Sequence, residues 1–238
     1  MGYDVNSLKL SKRLACAAAF ARKGDFIADV GTDHAYLPIY LYKAGIIKGA
    51  VVGDINQGPI DRAKANICEY SCKDAIIPIL SDGLCKIDEF SPNTVFILGM
   101  GGELIVNIIS KAEWLKENKT RLVLQPMTHA EILREYLFDN GFEILEEALV
   151  EDGKIYQIIV AEYTGNISSA CAIEYLFGKI NLSRKEPLLL LALEKEISVL
   201  SARIDGKRRA GLDGGDDAEL LKAIEKYKES LNEGTQTL

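Results

Sequence analysis

Five short segments of this chain are largely apolar: Phe26–Val30, Ala50–Ile55, Ile76–Leu80, Thr94–Leu98 and Arg121–Leu124. Between them apolar residues return every three or four positions, the spacing of one helical face. Leu10, Leu14, Ala17 and Ala21 predict a helix over 8–23, stopped by Gly24. Further helices are expected over Ala35–Ala44 and from about Pro59, where proline suits the first turn. One more carries Leu104, Ile108, Ala112 and Leu115, and another covers His129–Asn140. Apolar strands alternating with helices predict a parallel sheet buried on both faces. Phe142–Val150 and Lys154–Tyr163 then flank Asp152-Gly153, a two-residue hairpin turn, so an antiparallel hairpin should close the sheet.

Past Thr164-Gly165 the strand pattern ends. Residues 169–181 read as a short helix, with Ile173, Leu176, Phe177 and Ile180 on one side. Leu189, Leu193, Ile197, Leu200 and Ile204 form one narrow seam, and Leu220, Ile224, Tyr227 and Leu231 another, separated by a Gly-rich turn. Two such helices predict an antiparallel, coiled-coil-like hairpin. The expected division is 1–163 for the α/β domain and 164–238 for the helical one.

The 238 residues, 48% hydrophobic, suffice for one full domain and a smaller appendage. No apolar run is long enough to span a membrane, and MGYDVNSLKLSKR lacks an apolar signal core. The five cysteines form no CxxC pair, and the two histidines do not complete a zinc set, so free thiols in a reducing cytoplasm and no metal are expected. The net charge of −7 argues against a surface coated for nucleic acid, but charge is uneven. Residues 1–24 hold Lys9, Lys12, Arg13, Arg22 and Lys23 against Asp4, and Lys207-Arg208-Arg209 forms a second basic knot. These clusters permit a polyanionic partner.

In open α/β sheets a ligand lies beyond the carboxyl ends of the strands. Those ends deliver Asp29, Gly31, Asp33 and His34, then Asp54, Ile55 and Asn56, then Asp82, Gly83 and Leu84, then Gly99, Met100 and Gly101. Asp54 follows Gly31 by 23 residues, near the spacing at which an acid bonds ribose hydroxyls, and Asp82 is placed to reach a base amino group. A dinucleotide needs several glycines so that its pyrophosphate can approach backbone N–H groups. A single glycine among carboxylates suits S-adenosylmethionine instead, which has no phosphate and carries sulfonium and ammonium charges. Taken singly, Gly31 is also an ordinary turn glycine, Asp54 a strand-end cap and Asp82-Gly83 a common turn pair.

At these residues the chain resembles the bacterial tRNA (adenine-22-N1)-methyltransferase family. LSKRL (Leu10–Leu14), ADVGTDHAYLPIYL (Ala28–Leu41), GDINQGPI (Gly53–Ile60), SDGL (Ser81–Leu84), GMGG (Gly99–Gly102) and EDGKIYQIIVAE (Glu151–Glu162) carry the likeness. Met127 departs from it, standing where asparagine is expected after Gln-Pro. The resemblance implies a Rossmann-like class I methyltransferase sheet with a C-terminal helical hairpin. It further implies methyl transfer from S-adenosylmethionine to N1 of adenine 22, in the D-arm region of tRNA. On that reading Asp33 and His34 position the adenine or the donor, or simply cap the next helix. Tyr36 stacks on an extruded base or joins the core. Lys9, Lys12 and Arg13 meet tRNA phosphates near the cofactor mouth, with Lys207, Arg208 and Arg209 as a second contact; no obligate protein partner is expected.

Two other readings stay open. The carboxylates Asp29, Asp33, Asp54 and Asp82 with His34 could serve a metal-dependent hydrolase. Alternatively the chain is a non-catalytic scaffold that binds S-adenosylmethionine or RNA.

Overall fold

A computed structural model of the chain describes residues 8–233; the segment 1–7, where no export signal was expected, lies outside them. The chain divides into two compact units, Met1–Ser169 and Ala170–Leu238.

The first unit is a seven-stranded sheet in the order β3-β2-β1-β4-β5-β7-β6. The strands are β1 (Phe26–Val30), β2 (Gly49–Asp54), β3 (Ile76–Leu80), β4 (Thr94–Met100), β5 (Arg121–Pro126), β6 (Phe142–Asp152) and β7 (Lys154–Tyr163). Pairs among β1 to β5 are parallel, whereas β7 runs antiparallel to both β5 and β6. Only β7 is therefore reversed, and β6 points the same way as the body of the sheet.

Successive strand residues feed opposite cores, because their side chains alternate faces. Ile27, Val52, Phe96 and Val123 pack with α1 (Lys12–Ala18), α2 (Tyr36–Lys43) and α3 (Gln57–Glu69). Ala28, Val51, Ile97 and Leu124 pack with α4 (Gly102–Ser110), α5 (Trp114–Glu117) and α6 (Ala130–Asp139). Helices thus cover both faces, which is why the strands read as unbroken apolar runs. On α6 the fully buried Arg134 donates to Glu147 at 2.8 Å and to Gln157 at 2.6 Å, tying the closing hairpin to the sheet.

Two helical expectations in this unit need correction. The first helix covers Lys12–Ala18 rather than 8–23: Ser11 caps it by accepting from the Leu14 N–H, and tighter turns follow Ala18. The helix through Leu104 and Leu115 is two helices, and its buried stripe is Ile105 and Ile109, with Leu104 half exposed. The hairpin turn is also tighter than expected, since Asp152 pairs with Lys154 around Gly153 alone.

In the second unit the helix expected over 169–181 is broken at Gly178 (φ 88°) into α7 (Ala172–Phe177) and α8 (Lys179–Arg184). Helices α9 (Pro187–Arg209) and α10 (Gly215–Glu233) pair antiparallel. Arg203 and Lys207 meet Asp217 at one end, and Lys228 meets Glu194 at the other. Leu189, Leu193, Leu200 and Ile224 fill the buried seam.

Helix α4 starts hard against the loop after β5. The Gly102 N–H donates to the Thr128 carbonyl at 2.8 Å, and a methyl group on Gly102 would lie 2.1 Å from the His129 carbonyl oxygen. That oxygen is backbone and cannot swing aside. Gly102→Ala is expected to cost about 1–3 kcal/mol, the range for forced overpacking, as a lower urea midpoint. Gly206→Ala, in the open interior of α9 with nothing within 4 Å, should leave stability unchanged or raise it.

Candidate active site

The strand order reverses at β1, which has β2 on one side and β4 on the other, and a crevice opens there. The loop leaving β1 turns at Gly31 (φ 78°), where the Gly31 and Thr32 N–H groups both donate to the Gly53 carbonyl, at 2.8 and 3.2 Å. Met100, at the end of β4, lies against the open side of Gly31: an added methyl would come within 2.1 Å of its Cε. Gly31 is therefore needed for its backbone conformation and for this close approach.

Asp29, Gly31, Asp33, His34 and Tyr36 line one cleft of about 260 Å³, together with Arg13, Thr32, Leu37 and Leu98. Asp29 is buried there, and desolvation pushes its pKa up to about 6 against a lowering hydrogen bond from Thr32. Asp33, four residues on, is in the opposite state. It is exposed and joined to Arg62 of α3, whose Nε lies 3.0 Å away, and to His34 Nε2 at 3.1 Å. The Arg62 hydrogen bond, ahead of other causes, holds the Asp33 carboxyl below its usual range.

Neither Asp33 nor His34 caps α2. The N-cap is Ala35, left-handed (φ 56°) and without a side-chain cap bond, and Thr32 Oγ1 holds it by accepting from the Ala35 N–H at 3.0 Å. The His34 ring stacks on Tyr36, with centroids 5.1 Å apart and planes within 9°. Tyr36 is 37% exposed, so it is not a core residue. Asn66 fixes this loop from α3 by donating to the His34 carbonyl at 2.8 Å. Arg62 and Asn66 sit one helical turn apart on α3, a spacing visible in the sequence, but nothing local marked them as partners of the Asp33 loop.

The other strand ends lie along the same sheet edge. Asp54 Oδ1 accepts from the Asn56 N–H at 2.7 Å, the Asp54 carbonyl accepts from the Ser81 N–H, and Ile55 is 61% exposed. Asp82, Gly83 and Leu84 line a second cleft of about 270 Å³ against Leu104 and Ile108 of α4. Asp54, Ile55, Asn56, Gly99, Met100 and Gly101 line neither of these two clefts. Strand β4 bulges at Gly99 (φ 80°), which frees its N–H from the ladder to donate to Gln125 Oε1 at 3.1 Å. Among the described residues no group of three or more His, Cys, Asp or Glu side chains converges as a metal site would.

The basic residues differ from one another. Lys9 and Lys12 are exposed. Arg13 instead turns inward, donating from Nη1 to the fully buried Gln125 Oε1 at 2.5 Å, with its guanidinium 5.5 Å from the Tyr156 ring centroid. Lys207 pairs with Asp217 at 2.8 Å and Arg208 with Asp205 at 3.9 Å, while Arg209 is exposed. Sequence reasoning missed Gln125 as a hub, because its role depends on the bulge in a neighbouring strand.

Residues 10–159, which include this crevice, match the methyltransferase domain family, to which the chain belongs. Its place within that class is narrower. Over 159 residues it is 38% identical to the tRNA (adenine(22)-N(1))-methyltransferase of Bacillus subtilis (strain 168), covering 66% of this chain and 67% of that protein. Streptococcus pneumoniae Sp1610 in complex with S-adenosyl-L-methionine superposes with a TM-score of 0.82 at 32% identity, covering 91% of this chain and 99% of that one. Mycoplasma capricolum TrmK, solved with S-adenosyl-homocysteine, gives 0.81 at 27% identity over 93% and 99%. The chain is a member of the tRNA (adenine(22)-N(1))-methyltransferase family.

The native state keeps the Asp29 proton up to about pH 6, whereas the ordinary value for an aspartate carboxyl is 3.8. Ionising Asp29 therefore lowers stability as pH rises across that window. Asp29→Asn is expected to be more stable than the parent at pH 7 by up to about 3 kcal/mol, and no more stable at pH 3. Denaturant unfolding at the two pH values measures this, and equal stability at pH 7 contradicts it.

Proposed function

We propose that this chain transfers the methyl group of S-adenosylmethionine to N1 of adenine 22, in the D-arm region of tRNA. The observation that carries the reading is the crevice at Gly31, which holds a buried carboxylate and lacks the glycine series a pyrophosphate requires. Those residues fit the donor chemically. Asp29 is a desolvated anion for a cationic group, Gly31 admits close approach, and the Asp54 carboxylate stands at the strand end for ribose hydroxyls. Asp82 takes the base amino group, while Ile55, Asn56, Gly83, Leu84, Gly99, Met100 and Gly101 complete the lining of the edge.

When bound, the donor supplies an electrophilic methyl group on sulfonium. Adenine N1 has an in-plane lone pair and attacks without a general base, so the protein's task is alignment and exclusion of water. Asp33 fits that division of labour. Its carboxyl is held low by Arg62, which makes it a poor base but a firm anchor for His34. The stacked, half-exposed His34 and Tyr36 rings offer a surface for an adenine drawn out of its stack.

Exposed Lys9 and Lys12 meet tRNA phosphates, with Arg209, Arg208 and Lys207 of the helical unit as a second contact. The first compact unit, Met1–Ser169, is the donor-binding domain and the second, Ala170–Leu238, the helical one. No helix among the described residues is long and apolar enough to cross a membrane. The five cysteines are thiols, in keeping with the proposed action in the cytoplasm. A metal-dependent hydrolase lacks a ligand cluster among the described residues.

The direct test incubates the protein with labelled S-adenosylmethionine and unmodified tRNA, then maps reverse-transcription stops. A stop at position 22, lost when that adenine is replaced by guanine, is expected; label elsewhere contradicts the substrate assignment. In the same assay Tyr36→Ala should lower kcat/KM by roughly 10- to 100-fold, the worth of one base–aromatic stack, and Tyr36→Phe should retain most activity. Joint Lys9→Ala and Lys12→Ala substitution should flatten the salt dependence of tRNA binding by about 1.5 log units per log salt while sparing donor affinity. An unchanged slope removes those two contacts.

A further inference from the structure

We infer that Arg62 is a positioning residue for the target base: from α3 it fixes Asp33, and through Asp33 the stacked rings of His34 and Tyr36 that receive the adenine. The inference rests on the reading of those rings as the base platform. It adds to that platform a residue that itself touches neither donor nor tRNA.

The platform stands on a turn that has to be held. Ala35, between the two ring-bearing residues, is left-handed at φ 56°. A residue with a Cβ keeps that conformation where its surroundings over-determine it. Thr32 holds the turn from within the loop, and two side chains of α3 hold it from outside. Asn66 donates from Nδ2 to the His34 carbonyl at 2.8 Å. Arg62 donates from Nε to Asp33 Oδ1 at 3.0 Å, and its Nη2 donates to the same oxygen. Residues 62 and 66 lie one turn apart on a single helical face, so α3 splints the loop at two points.

The Asp33 carboxylate is divided between two partners. Oδ1 takes Arg62, which leaves Oδ2 facing His34 Nε2 at 3.1 Å. Both the Asp33 and His34 side chains are exposed, and an exposed carboxylate that turned freely could not orient an imidazole. Gripped through Oδ1, it presents Oδ2 in one direction, and the imidazole lies within 9° of the Tyr36 plane. Arg62 is itself half exposed and would pass for a phosphate contact. Its Nε and Nη2 both engage Asp33, however, so its charge is already answered within the protein.

The test is a double-mutant cycle in steady-state methyl transfer to unmodified tRNA. The proteins are the parent, Arg62→Met, Tyr36→Ala and the double variant, with Arg62→Lys beside them. Rates are normalised to the fraction of each preparation that binds S-adenosylmethionine by calorimetry, which removes losses from misfolding. Arg62→Met should lower kcat by about 10- to 100-fold, as misplacing a reacting group does. Its tRNA affinity by filter binding, and the salt slope of that affinity, should stay within about twofold of the parent. In the Tyr36→Ala background the same substitution should cost less than about twofold, because the platform is already lost. Arg62→Lys keeps the charge without the planar fork, so its kcat should fall between those of the parent and Arg62→Met. Weaker tRNA binding with a flatter salt slope would make Arg62 a phosphate contact and overturn the inference. A parent-like kcat in Arg62→Met, or an undiminished loss on top of Tyr36→Ala, overturns it as well. A parent-like kcat/KM in Tyr36→Ala is a different result: it sinks the platform reading itself, and the inference with it.

Discussion

Two N–H groups, those of Gly31 and Thr32, converge on the single carbonyl of Gly53. That bifurcated contact pins the loop after β1 to β2 and so keeps it off β4, whose end bulges away at Gly99. The space between is where every candidate ligand-binding group of the cleft gathers. Only a residue at ease with φ near 78° and without a side chain can make the contact while Met100 lies against it. The reversal of strand order supplies the crevice in outline, and the Gly31 turn gives it a usable shape.

Around that turn the electrostatics is divided rather than summed. Asp29 in β1 and Asp33 in the loop after it stand four residues apart, yet burial drives the first toward its neutral form and Arg62 drives the second toward its charged form. An acid whose charge is costly when unaccompanied gains most from a cationic guest. An acid already paired with arginine gains little, and serves instead to orient the neighbouring imidazole. The chemistry assigned to the site needs such a division, because a ring nitrogen that attacks through its own lone pair asks for placement and a dry pocket more than for proton transfer.

Much of the scaffold was legible in the sequence. β1 and β3 have their expected ends, and β2, β4 and β5 differ from expectation by at most two residues at either end, because strands buried on both faces leave uninterrupted apolar runs. Helix ends were less legible. The Leu10–Ala21 spacing fits a helix well beyond Ala18, but Ser11 and the turns after Ala18 set shorter limits. The Leu104–Ile108 stripe is periodic too, although the sheet takes the neighbouring Ile105 and Ile109. At the site, the acids and glycines at strand ends could be read in order. The partners that set their states could not: Arg62 for Asp33 and Gln125 for Arg13 act across chain distances or through bulges that local pattern does not record.

The central claim is that this edge selects a phosphate-free cation over a dinucleotide. Parallel calorimetric titration of the purified protein with S-adenosylmethionine and with NAD tests it most directly. The account predicts saturable one-to-one binding of S-adenosylmethionine and no detectable heat with NAD. Saturable NAD binding alongside indifference to S-adenosylmethionine would contradict it.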